Sequence, residues 1–185
     1  GRHIAMVLQD PFLFTGTILE NIRYLTSSAN RADVERAATV VGAHDFIERL
    51  PNGYNTRLEQ QGRNLSMGQR QLLSFARALV ADTKILILDE ATANVDSYTE
   101  QQIQIALKRL LRGRTGIVIA HRLATVRGAD RIIVLQEGRI VETGDHDALI
   151  ANKGLYARLY ALNYASFDDI PEDVLADVIA DQTRT

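Results

Sequence analysis

Two apolar runs constrain the fold of this chain more than any other feature: "KILILD" from Lys84 to Asp89 and "TGIVIAH" from Thr115 to His121. Neither alternates polar with apolar residues, which is the pattern of central strands in a parallel sheet covered on both faces. Between them the spacing predicts a helix of about four turns over Tyr98 to Leu111. Ser97 is its expected N-cap with Glu100 at N3, and Ile103, Leu107 and Leu110 are its expected buried positions. Parallel neighbours need such a crossover, so the segment is a βαβ unit and the fold class is α/β. A chain of 185 residues, 46% hydrophobic and 24% charged, is long and apolar enough to bury a real core.

The first half reads as helical. "TILENIRY" opens with a T-x-x-E capping box from Thr17 to Glu20. Asn30 is placed to cap a helix whose apolar positions Val34, Ala37, Ala38 and Val41 follow helical spacing, with Gly42 where a left-handed C-terminal cap belongs. A short helix in "HDFIERL" ends at the turn "PNGY". Ser66 then starts a long helix with Leu72, Leu73, Ala76, Leu79 and Val80 on its core face. After the βαβ unit, "RIIVLQEGRIVETG" reads as a hairpin turning at "EG", followed by helices in "DHDALI" and "LYARLYAL".

Composition removes several function classes. Without cysteine there is no disulfide framework, thiolate metal site or cysteine nucleophile. A formal net charge of −2 and scattered Lys and Arg leave no basic stripe for a nucleic-acid backbone, so no nucleic-acid partner is expected. The longest apolar runs fall far short of the roughly 20 residues that cross a bilayer, so a membrane role has to work through a partner. The opening Gly1, running at once into patterned sequence, reads as the edge of a piece of something longer.

The chemistry lies at the strand ends, outside which ligands of such sheets bind. Asp89 and Glu90 are adjacent carboxylates at the tip of a buried strand, suited to phosphoryl chemistry: Asp89 to hold Mg²⁺, Glu90 to orient or deprotonate an attacking water. The plainer alternative is a strand end followed by a helix N-terminal charge. His121 ends the neighbouring run within plausible reach of a γ-phosphate, against the plainer role of a structural histidine. In "NLSMGQ", Ser66 and Gln69 form an S-x-x-Q capping box, and the helix they open offers free N–H groups to an anion. Met67 at N1 costs such a site nothing, since its backbone N–H serves as well as that of glycine. At Gly68 a Cβ is expected to stand between backbone and phosphate.

These motifs together resemble the ATP-binding cassette domain of ABC transporters, of the exporter type. "LSMGQ" is similar to the signature motif of that family, "ILILDE" to its Walker B strand, "ATANVD" to its D-loop and "IVIAHRL" to its switch-histidine loop. "MVLQDPFLFTGTILENIRY" resembles its Q-loop and the segment after it. The match runs from about Arg2 to Tyr160. It implies an α-helical subdomain over about residues 15–82, the C-terminal half of a P-loop core over about 83–162, and an acidic extension over 163–185. It implies ATP and Mg²⁺ as ligands, with Gln9 contacting Mg²⁺ and the γ-phosphate beside Asp89, and Glu90 and His121 as the hydrolytic pair. Ser66, Gly68 and Gln69 would touch the ATP of a second nucleotide-binding domain, in a homodimer or heterodimer, and Asp96 would lie across that interface. "DPFLFTGT", with Phe12 and Phe14 exposed, would meet the coupling helices of transmembrane domains at the cytoplasmic face of the membrane.

The sequence departs from the family pattern in three places. The chain contains no G-x-x-x-x-G-K-[ST] phosphate loop, which in this family lies upstream of Gln9 together with the aromatic residue that stacks on adenine. Gln60 and Gln61 stand where many exporters carry an acidic and a basic residue. "DIPEDVLADVIA" adds an amphipathic stretch with Ile170, Val174, Leu175 and Val178 on one side. Two alternatives are a soluble ABC-type ATPase of DNA maintenance and a non-catalytic half of a paired transporter. The first usually inserts coiled coils or zinc cysteines, and the second commonly loses the Walker B glutamate or the histidine. None of these features fits the chain.

Overall fold

The computed structural model describes residues 3–89, 96–120 and 123–164. It divides the chain into two compact units, Gly1–Ile119 and Ala120–Thr185. In the first unit β1 (Ile4–Val7) leads to a two-residue β2 (Gly16–Thr17), then helices α1 (Ile18–Ile22), α2 (Arg31–Val41) and α3 (His44–Glu48). The short β3 (Arg57–Leu58) precedes α4 (Met67–Val80), β4 (Ile85–Asp89), α5 (Ser97–Leu111) and β5 (Thr115–Ile119).

The parallel βαβ unit forms as its sequence demands: β4 pairs with β5, Leu86 opposite Gly116 and Asp89 opposite Ile119. The sheet has a third strand that the sequence reading does not identify. β1 lies parallel on the other side of β4, Val7 opposite Leu88, giving the order β1-β4-β5. A second unforeseen pairing, β2 with β3, closes a small antiparallel ribbon. Cover on both faces of the sheet is not what the structure gives. Ala5, Val7, Leu86 and Leu88 on one face are buried in the core with Leu72, Leu73 and Ala76 of α4 and Ile103, Leu107 and Leu110 of α5. Ile4, Met6, Ile117 and Ile119, which alternation turns to the other face, are exposed.

Side-chain caps fix the helix starts. Thr17 and Asn30 each make a reciprocal capping box, with Glu20 and Asp33 at N3. Gly42 ends α2 at φ 76, a left-handed conformation that a β-carbon would strain. A buried polar hub ties the segment after β1 to α4. The Asn21 amide donates to the Phe14 carbonyl and its Oδ1 accepts from the Phe14 N–H, both at 2.9 Å. Arg77 of α4 donates to the Asn21 carbonyl at 2.8 Å and to the Phe12 carbonyl at 2.9 Å. Each of these polar groups thus meets a partner within the fold.

The second unit holds α6 (Leu123–Arg127), the hairpin β6 (Ile132–Gln136) and β7 (Arg139–Gly144), α7 (His146–Ala151) and α8 (Leu155–Tyr164). Glu137 (φ 49) and Gly138 (φ 76) form the "EG" turn, both left-handed as a two-residue hairpin loop requires. Glu142 of β7 accepts the N–H groups of Leu155 and Tyr156 and so caps α8. Val134, Leu149, Tyr156 and Tyr160 form the core of this unit. Among the described residues no helix is long and apolar enough to cross a membrane.

Candidate functional site

The carboxyl ends of three neighbouring parallel strands define one edge of the sheet. Gln9 follows β1 by two residues and is exposed. Asp89 is the last residue of β4 and half-buried, so its carboxylate keeps access to solvent at the strand tip. Glu90 and His121 lie outside the described residues, as does the stretch from 165 to 185 with its amphipathic segment. Gln9 offers an amide oxygen and Asp89 a carboxylate. Both are hard donors of the kind Mg²⁺ takes while it keeps several waters.

The second part of the site is the start of α4. Ser66 is the N-cap: its Oγ accepts the Gln69 N–H at 3.2 Å, and Gln69 Oε1 accepts the Ser66 N–H at 2.9 Å. The Arg70 N–H reaches the Ser66 carbonyl at 3.0 Å. The N–H groups of Met67 and Gly68 remain without an acceptor in the helix, at the positive end of its dipole. Gln69 thus has a local task besides any ligand contact, while the Ser66 hydroxyl keeps its proton free to donate.

The cap of α5 differs from the sequence expectation. Asp96, not Ser97, is the N-cap, and Ser97 is the first helical residue. Both residue types suit the position, but Asp96 takes two hydrogen bonds from Thr99, from the amide to Oδ1 at 3.0 Å and from the hydroxyl to Oδ2 at 2.6 Å. Those bonds, the hydroxyl one first, hold the Asp96 carboxyl below the usual carboxylate range. Gly68 also differs. It is buried, and a Cβ on it would overlap Cγ2 of Thr99 in α5. The structure thereby brings the signature-like Gly68 and the D-loop-like Asp96 to one contact through Thr99, which the sequence reading did not single out. A threonine three residues after an N-cap aspartate signals the Asp96–Thr99 half of that contact, while nothing local signals the Gly68 half.

Phe12 is 51% exposed, as expected, but Phe14 is half-buried, stacked on Tyr24 with ring centroids 4.1 Å apart and under the Arg77 guanidinium. The aromatic pair and Arg77 form a firm base from which Phe12 projects.

Comparison with known proteins agrees with these motifs. The family profile described as ABC transporter matches residues 1–93. An ABC transporter ATP-binding protein of Bacillus subtilis, YknV, is 56% identical over 163 residues, which cover 88% of this chain and 27% of that protein. An ATP-dependent lipid A-core flippase of Syntrophus aciditrophicus is 46% identical over 94% of this chain and 29% of its own length. The solved structure of a bacterial Atm1-family ABC exporter with ATP bound superposes with a TM-score of 0.80 at 42% identity, over 90% of this chain and 29% of that one. The chain therefore spans less than a third of the length of these relatives. Its parallel sheet with flanking helices is the α/β fold expected from the sequence, and domains of this family bind ATP. The chain belongs to the ABC transporter family, as part of an ATP-binding domain whose relatives include exporters.

Proposed function

We propose that these residues work within a longer ABC exporter, where they hydrolyse ATP at the cytoplasmic face of the membrane and couple it to movement of a substrate. The observation that carries this reading is the parallel β1-β4-β5 sheet, which brings the chain after β1 and after β4 to one edge. Gln9 and Asp89 stand there, and Glu90 and His121 follow β4 and β5 in sequence.

In this reading Glu90 accepts a proton from the water that attacks the γ-phosphorus, and the bond to the β–γ bridging oxygen breaks to release ADP. His121 donates to a γ-phosphate oxygen. Gln9 and Asp89 would hold Mg²⁺, which when bound would neutralise phosphate charge. The Ser66 hydroxyl and the N–H groups at the start of α4 face the ATP of a second nucleotide-binding domain, with Gly68 and Gln69 shaping that end. Asp96 stands at the interface of the two domains. Phe12, raised on the Phe14–Tyr24–Arg77 base, meets the coupling helices of the membrane domains.

The test is steady-state ATPase activity of the full-length protein. Glu90→Gln should lower turnover by about a hundredfold or more and leave ATP affinity nearly unchanged, since it removes a base rather than a binding contact. Turnover equal to wild type would remove Glu90 from the mechanism.

A further inference from the structure

The starts of α4 and α5 touch at a point where no side-chain atom can be added. Gly68 sits at N2 of α4, and a Cβ there would overlap Cγ2 of Thr99 and come within 3.8 Å of Ile103 Cδ1. A methyl group at the end of a side chain can usually turn aside, but this one is tethered. Thr99 is β-branched, so its methyl and hydroxyl move together between staggered positions about 120° apart. The hydroxyl donates to Asp96 Oδ2 at 2.6 Å, and turning the methyl away from residue 68 would carry that hydroxyl off the carboxylate.

We infer that Thr99 is a positioning residue of the ATP site: its methyl sets how closely the start of α4 approaches α5, and its hydroxyl fixes the orientation of Asp96. The inference rests on the proposed reading of Ser66, Gly68, Gln69 and Asp96 as elements of that site. It assigns the need for glycine at 68 to a contact within this chain, not to room for a phosphate arriving from outside. It also links Gly68 and Asp96 mechanically, since Thr99 touches both and displacement of one is felt by the other through that side chain.

Substitutions separate the two arms of Thr99 in the full-length transporter, read by melting temperature and by ATPase kinetics. Gly68→Ala should lower the melting temperature and cut kcat by about tenfold or more, by driving Thr99 off Asp96. Adding Thr99→Ser, which deletes the methyl and keeps the hydroxyl, should restore both, with kcat within about threefold of wild type. Thr99→Val keeps the methyl and loses the hydroxyl. It should lower kcat about fivefold with the KM for ATP within about twofold, a split that loss of packing alone does not produce. If Gly68→Ala with Thr99→Ser stays as slow as Gly68→Ala alone, the glycine serves the nucleotide and the inference is wrong. If Thr99→Val turns over like wild type, the hydroxyl arm is wrong. A wild-type protein that hydrolyses no ATP would instead overturn the proposed function, and the melting temperatures would still decide the contact, absence of rescue by Thr99→Ser overturning it.

Discussion

Tyr54 is almost wholly buried, at 1% exposure, and keeps its hydroxyl 2.8 Å from His44 Nδ1. Burial first, then the nearby Glu35 and Glu48 carboxylates, push that hydroxyl up to about 12 from its ordinary 10.0. A raised value means that the folded state holds its proton longer than the unfolded chain does. The stabilisation is therefore complete below pH 10 and lost as pH rises toward 12. Tyr54→Phe should give a shallower loss of stability across that window in denaturant titrations, and an unchanged slope would show that another group governs the alkaline limb. Residues of this kind are hard to read from sequence. Tyr54 stands in the turn "PNGY" with nothing in that turn to announce its burial, and its setting comes from α2 and α3, the helices that precede it. Asp96 and Ser97 show a milder version of the problem. Two adjacent residues can both cap a helix, and the choice depended on Thr99, whose hydroxyl supplied a second bond to one of them.

Elements with their own punctuation were legible. Capping boxes at Thr17 and Ser66, the left-handed Gly42 and the "EG" turn depend on neighbours within a few residues, and all form as read. β1, β2 and β3 were not legible. They have four, two and two residues, too few for a period, and exist because a distant partner satisfies their backbone groups. The segment between β1 and α1 is held by long-range contacts of the same sort. Arg77 of α4 donates to the Phe12 carbonyl, to the Asn21 carbonyl and to Asn21 Oδ1. Arg77→Met keeps the apolar stem and deletes all three donors: the Asn21 and Phe12 carbonyls lose the guanidinium, while Asn21 Oδ1 keeps only the Phe14 N–H. Hydrogen bonds from a charged group contribute about 1.5–3 kcal/mol each, but their losses overlap here, so a net destabilisation of about 2–4 kcal/mol is expected. Denaturant midpoints would show it. A change below about 0.5 kcal/mol would mean that α4 does not hold this segment.

At the scale of the whole molecule the sheet is the informative feature. One face packs on α4 and α5, while the other exposes Ile4, Met6, Ile117 and Ile119, with Met6 at 61% and Ile117 at 55%. An apolar strand face left open in this way marks a surface made for another layer of structure. The α/β class and the order of the motifs were readable in the sequence because parallel strands and helix caps are local patterns. The third strand and the Gly68–Thr99–Asp96 contact were not, because they join residues far apart in the chain. The candidate site is also partial in its chemistry. It has Gln9 and Asp89 at the strand ends and a capped helix start at Ser66, yet no G-x-x-x-x-G-K-[ST] loop of the kind that cradles β- and γ-phosphates. Under the proposed function, the ATP on which these 185 residues act is therefore gripped by residues outside them. Calorimetric titration of Mg·ATP into the isolated chain tests this most directly. Binding no tighter than about 1 mM is the predicted result, and a micromolar dissociation constant would contradict the account.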